Sequence, residues 1–126
     1  MAAPRLGRVQ LKIMQALWQR GRASAREITE AIARSEPIAH STVQTLLRKL
    51  EAKGAIAHDV EDRTFVFYSL VKEDNVRRSA VRDLVDRVFD SSAAELVSYL
   101  LQNERVPREE LDRIRKLIDR QTRKES

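Results

Sequence analysis

The chain has 126 residues, 42% of them hydrophobic and 34% charged, with 24 Lys and Arg against 19 Asp and Glu for a formal charge of +5. That length suits one ordinary domain or two small ones, and the basic balance favours an anionic partner. Cysteine is absent, which excludes disulfides, thiolate metal sites and a cysteine nucleophile, while the lack of any apolar run of membrane-spanning or signal-peptide length points to a soluble, cytoplasmic protein without a membrane partner.

Taken in order, Leu6 to Arg20 reads as a helix, with Leu6, Val9, Ile13, Ala16 and Leu17 on one stripe and Leu11, Met14 and Trp18 widening it. Gly21 ends it, and Arg22-Ala23 forms a short extended link able to pair as an edge strand. Ser24 followed three residues later by Glu27 is a capping box. It opens a second helix over about Ala25 to Arg34 that buries Ile28, Ala31 and Ile32. Ser35-Glu36-Pro37 breaks the pattern.

A third helix, capped by His40 or Ser41, follows and runs to the Gly54 stop. Val43, Leu46, Leu47 and Leu50 recur at i, i+3, i+4 and i+7, so one face is built to be buried. Ser41, Gln44, Thr45 and Arg48 fall on the opposite face, with Thr42 and Lys49 at its margins and no carboxylate before Glu51. Hydroxyls and amides reach base edges, and cations reach phosphates, so this face suits a DNA major groove. The order of helix, turn and second helix is that of a helix-turn-helix. Residues 1–70 hold 11 basic and 7 acidic residues, against 13 and 12 in 71–126, so the positive excess sits mainly with the third helix.

Ala55 to Leu70 alternates with a period of two around a polar Glu61-Asp62-Arg63 turn, which predicts a hairpin wing with Arg63 at its tip. After Leu70 three further helices are expected. Asp74 to Phe89 turns Val76, Ala80, Leu84, Val85 and Val88 inward. A helix capped by Ser92 and Glu95 carries Leu96, Val97, Leu100 and Leu101. A last one follows Pro107 with Leu111, Ile114, Leu117 and Ile118, before a charged tail from Arg120. Each has one apolar stripe and the three do not close a core alone. Burying a Leu or Ile is worth roughly 1.5–3 kcal/mol, so a second copy of the chain is the expected cover. Leu84, Val88, Leu96, Leu100, Leu111, Ile114 and Ile118 are the expected dimer contacts. The fold class is therefore mainly α with a small β-hairpin wing. A winged helix-turn-helix domain occupies residues 1–71 and a helical dimerisation domain residues 72–126.

Three motifs appear in this order: L-x-x-x-Q-L-K-I-M-Q-A-L-W in the first helix, S-T-V-Q-T-L-L-R-K-L-E-A-K-G in the third, and F-V-F-Y-S-L-V in the second wing strand. Together they resemble the BlaI/MecI/CopY family of winged-helix repressors, the penicillinase repressor family, from about Leu6 to Ile118. The resemblance implies a homodimeric repressor of palindromic operator DNA of TACA/TGTA type. It places base contacts at Ser41, Thr42, Gln44 and Thr45 and backbone contacts near Arg48, Lys49 and Lys53, which join Arg63 as the phosphate-binding set. Gln can contact adenine bidentately, and a Thr methyl packs on a thymine methyl.

Three departures qualify this. Where β-lactam-responsive members are cut at an Asn-Phe bond by a signalling protease, this chain has Tyr99-Leu100, which leaves that partner open. The cysteine cluster of copper-responsive members is missing. Ser41 and Gln44 stand where the antibiotic-resistance members carry longer basic residues, so the preferred operator differs or is bound more weakly.

No catalytic residue, metal or cofactor is expected. The chain has no G-x-S-x-G, phosphate loop or glycine-rich dinucleotide turn, and His40 and His58 have no ligand partner at short spacing. Trp18, Phe65, Phe67 and Tyr68 read as packing residues. The alternative reading is a winged helix that binds protein and never touches DNA; an organic effector also stays open.

Overall fold

The computed structural model describes residues 3–125. The elements run α1 (Arg8–Arg20), β1 (Arg22–Ser24), α2 (Ala25–Ala33), α3 (His40–Ala52), β2 (Ile56–Glu61), β3 (Thr64–Ser69), α4 (Glu73–Val88), α5 (Ala93–Asn103) and α6 (Arg108–Glu125). The chain divides into two compact units, one ending at Val81 and one beginning at Arg82. This division lies inside α4, beyond the boundary after residue 71 drawn from the sequence.

In the first unit α1, α2 and α3 pack on one another and on a three-stranded antiparallel sheet of order β1-β3-β2. Arg22, Ala23 and Ser24 pair with Tyr68, Phe67 and Val66, so the short link after α1 is an edge strand. The core gathers Ile13, Met14 and Leu17 of α1, Ile28 and Ile32 of α2, Val43, Leu47 and Leu50 of α3, with Ile56 and Phe67 of the sheet.

Local signals set the ends. Leu6 and Gly7 precede α1, and the Gly7 N–H donates to Gln10 Oε1 at 2.9 Å. Gly21, at φ +84°, donates to the Leu17 carbonyl and stops the helix. At α2 the Ser24 hydroxyl accepts from the Glu27 N–H while the Glu27 carboxylate accepts from the Ser24 N–H, a complete capping box. These bonds to Ser24 hold the Glu27 carboxyl below its ordinary range. At the end of α3, Gly54 (φ +81°) donates to Glu51 O and Ala55 donates to Leu50 O, the paired bonds of a Schellman motif. Trp18 is half-buried. Its indole N–H donates to Ser69 Oγ at 3.1 Å and Val71 O at 3.0 Å, so α1 is fastened to the end of β3.

Glu36, in the connection between α2 and α3, accepts from Arg8 at 3.0 Å and lies 3.2 Å from Lys12. Those two cations, Arg8 first, hold its carboxyl below the usual carboxylate range. A carboxyl lowered by folding contributes stability above its unfolded value and loses it as pH falls through the folded one. Glu36→Gln is therefore expected to lower the urea midpoint near pH 7. The gap from wild type should close as pH drops past the ordinary carboxylate value of about 4.3 and lower. A gap unchanged at acid pH would remove the ion pairs as its cause.

The chain beyond Val76, in the last turns of the first unit and all of the second, is differently built. Past Val76 no described residue is buried. Ala80, Leu84 and Val88, expected to face inward, are exposed, Val88 by 64%. Leu100, Leu111, Leu117 and Ile118 are exposed as well, and Val85, Leu96 and Ile114 are half-buried. Ser92 caps α5 by accepting from the Glu95 N–H, and Phe89 meets Tyr99 edge-on at 5.8 Å between ring centres. The charged tail expected from Arg120 is instead helix: α6 continues to Glu125, because neither Gly nor Pro interrupts residues 108–125 and the polar pairs run helix-wise, Thr122 Oγ1 to Ile118 O and Gln121 to Glu125.

Candidate nucleic-acid interface

The interface is built on α3. Val43, Leu47 and Leu50 are almost wholly buried beneath it, and Leu46 is half-buried. Ser41, Thr42, Gln44, Thr45, Arg48 and Lys49 are exposed on its outer side. The Thr45 hydroxyl donates to Ser41 O at 3.0 Å and accepts from Arg48 at 3.4 Å, which stiffens this strip. Ser41, Thr42, Gln44 and Lys49 make no side-chain hydrogen bond or ion pair among the described residues.

The first residue of α3 is His40, and its cap is Ala39, not His40 or Ser41. Alanine offers no side-chain acceptor, where a Ser, Thr, Asp or Asn would contribute about 1 kcal/mol. His40 is engaged elsewhere: its Nδ1 lies 3.0 Å from Thr29 Oγ1 of α2, which ties the two helices together. The first amide N–H groups of α3 are thus left without a side-chain partner, and an uncapped helix start favours an anion such as phosphate.

The wing follows at once. His58 pairs with Phe67 and Val60 with Phe65 across the hairpin. Asp62 and Arg63 form its two-residue turn at φ +49° and +66°, the signs that a type I′ turn needs. Arg63 is exposed at this tip and carries no ion pair among the described residues. A non-glycine residue held at positive φ is uncommon. On the strand face away from α3, Arg22 reaches Asp59 at 2.7 Å and Glu61 at 3.1 Å and sits over the Tyr68 ring.

Of the expected phosphate set, Arg48, Lys49 and Arg63 are exposed and unspent by ion pairs. Lys53 is placed differently: its ammonium donates to Arg5 O at 3.1 Å and Gln10 Oε1 at 3.2 Å, binding the end of α3 back to the start of α1. Phe65 is only in part a packing residue, being 50% exposed; it stacks on His58 with centroids 4.0 Å apart and planes 12° apart. His58 in turn lies 2.6 Å from Glu51 Oε1 of α3. This link between wing and helix escaped the sequence reading. Glu51 and His58 stand seven positions apart across a turn, and only the fold brings them together.

The family model of the penicillinase repressor matches residues 6–120. The chain belongs to the penicillinase repressor family. Curated relatives bear this out across most of their own length. Methicillin resistance regulatory protein MecI of Staphylococcus aureus (strain N315) is 25% identical over 109 residues, 86% of this chain and 89% of that protein. The penicillinase repressor of Bacillus licheniformis is 22% identical over 116 residues, 92% of this chain and 91% of that one. Among solved structures, the monomeric form of Bacillus licheniformis BlaI in complex with the blaP half-operator matches with a TM-score of 0.52 and 26% identity, over 60% of this chain and 93% of that one. YusO of Bacillus subtilis shares the fold, with a TM-score of 0.53 and 18% identity over 94% of this chain and 75% of that one. The described residues hold no helix long and apolar enough to cross a membrane.

Proposed function

We propose that this member of the penicillinase repressor family is a DNA-binding transcriptional repressor, acting in the cytoplasm as a homodimer on palindromic operator DNA of TACA/TGTA type. One observation carries the reading. The outer strip of α3 offers unpaired hydroxyl, amide and cationic groups above a fully packed underside, in a chain similar to a BlaI whose structure holds a half-operator. Residues 1–71 serve as the DNA-binding domain and 72–126 as the dimerisation domain. Ser41, Thr42, Gln44 and Thr45 meet base edges. Arg48, Lys49, Arg63 and the open start of α3 meet phosphates. Lys53 enters that set only by leaving its bonds to Arg5 and Gln10.

Support for the second copy comes from the unit beyond Arg82, where the stripes of α4, α5 and α6 stay wet. Leu84, Val88, Leu96 and Leu100 line an open groove of about 660 Å3 there. Twofold operators call for twofold readers. A signalling protease acting at Tyr99-Leu100 would first have to open α5, since that bond lies inside the helix. The rival, protein binding without DNA, requires an acidic or apolar outer face on α3. The one carboxylate of that helix, Glu51, is instead turned to His58.

Selection of bound fragments from a random DNA pool, followed by mobility shift on the recovered motif, tests the reading; no enrichment would refute it. On the recovered site Gln44→Ala is expected to relax sequence preference, by about 1–3 kcal/mol at the affected base pair. Lys49→Ala should weaken all sequences alike and reduce the slope of log affinity against log salt by about 1.

A further inference from the structure

The same surface holds a second kind of site. Between α3 and the wing lies an open groove of about 990 Å3, at the upper end of the size range of small-molecule sites. Its floor is apolar, with Leu47 and Phe67 buried and the exposed Phe65 ring laid flat on His58. Arg26, Arg48 and Arg63 stand at its edge. None of the three forms an ion pair among the described residues, whereas Arg8, Arg22 and Arg78 are all paired with carboxylates at 3.1 Å or less. The groove has one carboxylate, Glu51, and His58 occupies it at 2.6 Å.

A flat aromatic floor rimmed by unspent guanidinium groups is complementary to an aromatic ring that bears an acid group. The ring stacks on Phe65, and the carboxylate accepts paired, charge-assisted bonds from an arginine. We propose that this groove binds an aromatic carboxylate and that its occupation releases DNA. The release rests on the DNA-binding reading, because Gln44, Arg48 and Arg63 line the groove and serve that interface too. A bound acid takes guanidinium groups that phosphates would otherwise use.

The test uses 2-naphthoate as the probe, the full isotope-labelled chain, and sodium acetate at equal ionic strength as the control. Naphthoate is expected to shift amide resonances of α3 and of Phe65 to Phe67 saturably, and to free the selected DNA where acetate does not. Phe65→Ala and Arg26→Gln lie outside the proposed DNA contacts and on exposed positions, so both should fold and keep DNA affinity. Each should raise the half-saturating naphthoate concentration at least about tenfold, equivalent to about 1.4 kcal/mol. No saturable shift, shifts confined to residues 82–125, or shifts unchanged in both variants would overturn the site. Groove shifts without DNA release would overturn its regulatory role. A wild-type chain that binds no DNA yet shows the groove shifts would sink the DNA reading and the release, and leave the site standing.

Discussion

Leu100→Asp combined with Ile118→Asp is expected to leave the chain monomeric and to cost on the order of 10²–10⁴-fold in affinity for a full palindromic operator. Both side chains are exposed in the single chain, Ile118 by 55%, so their replacement removes nothing from a monomer's interior. In a dimer, each would place carboxylates in an apolar contact, where an unpaired charge is strongly disfavoured. The two half-sites would then be bound independently, and the gain from linkage would vanish. Sedimentation velocity reads the first consequence and mobility shift the second. Affinity for an isolated half-operator should be unchanged, which separates loss of the partner from damage to the winged helix. A double variant that stays dimeric, or holds the full operator as tightly as wild type, would remove these stripes from the interface.

The second large effect is expected at the base of α3. Leu50 is fully buried, and its carbonyl accepts the Ala55 N–H that closes the helix. Leu50→Ala should destabilise the first unit by about 2–5 kcal/mol, since the surrounding helices refill such a cavity only in part. Against a total of about 5–15 kcal/mol for a domain, that is a large fraction, and a domain of this size loses about 4–8 °C in midpoint per kcal/mol. Thermal unfolding checks it. DNA binding at low temperature should persist in proportion to the folded fraction, because Leu50 presents nothing to a ligand. A near-neutral Leu50→Ala would mean that the underside of α3 is not what fixes its outer strip.

What could be read from the sequence was set by short-range chemistry. Ser24 with Glu27, Gly21 and Gly54 act within one helical turn of themselves, so their spacing sufficed to place the ends of α1, α2 and α3. The alternation from Ile56 to Ser69 gave the hairpin for the same reason. The stripe of Val43, Leu47 and Leu50 then determined which side of α3 is wet, and with it the whole set from Ser41 to Lys49. Contacts across the fold were not legible. Lys53 looks like any cation near a recognition helix until the start of α1 is seen to supply Arg5 O and Gln10. Phe65 looks like a core aromatic until the register leaves it near the wing tip, opposite Val60. The cap of α3 was misplaced because a good capping residue, Ser41, was present but already inside the helix. Serine's preference is local, whereas α3 already begins one residue earlier at His40, which is held to Thr29 of α2.

Trp18 gives the protein an optical property of its own. It is the sole tryptophan, and both of its indole acceptors, Ser69 and Val71, lie in the first unit. Its emission therefore reports solvent entry at the seam between α1 and β3. Ellipticity, by contrast, sums every helix including α5 and α6. If α5 and α6 melt as subunits separate, before the winged helix does, the ellipticity curve will move with protein concentration while the fluorescence curve stays put.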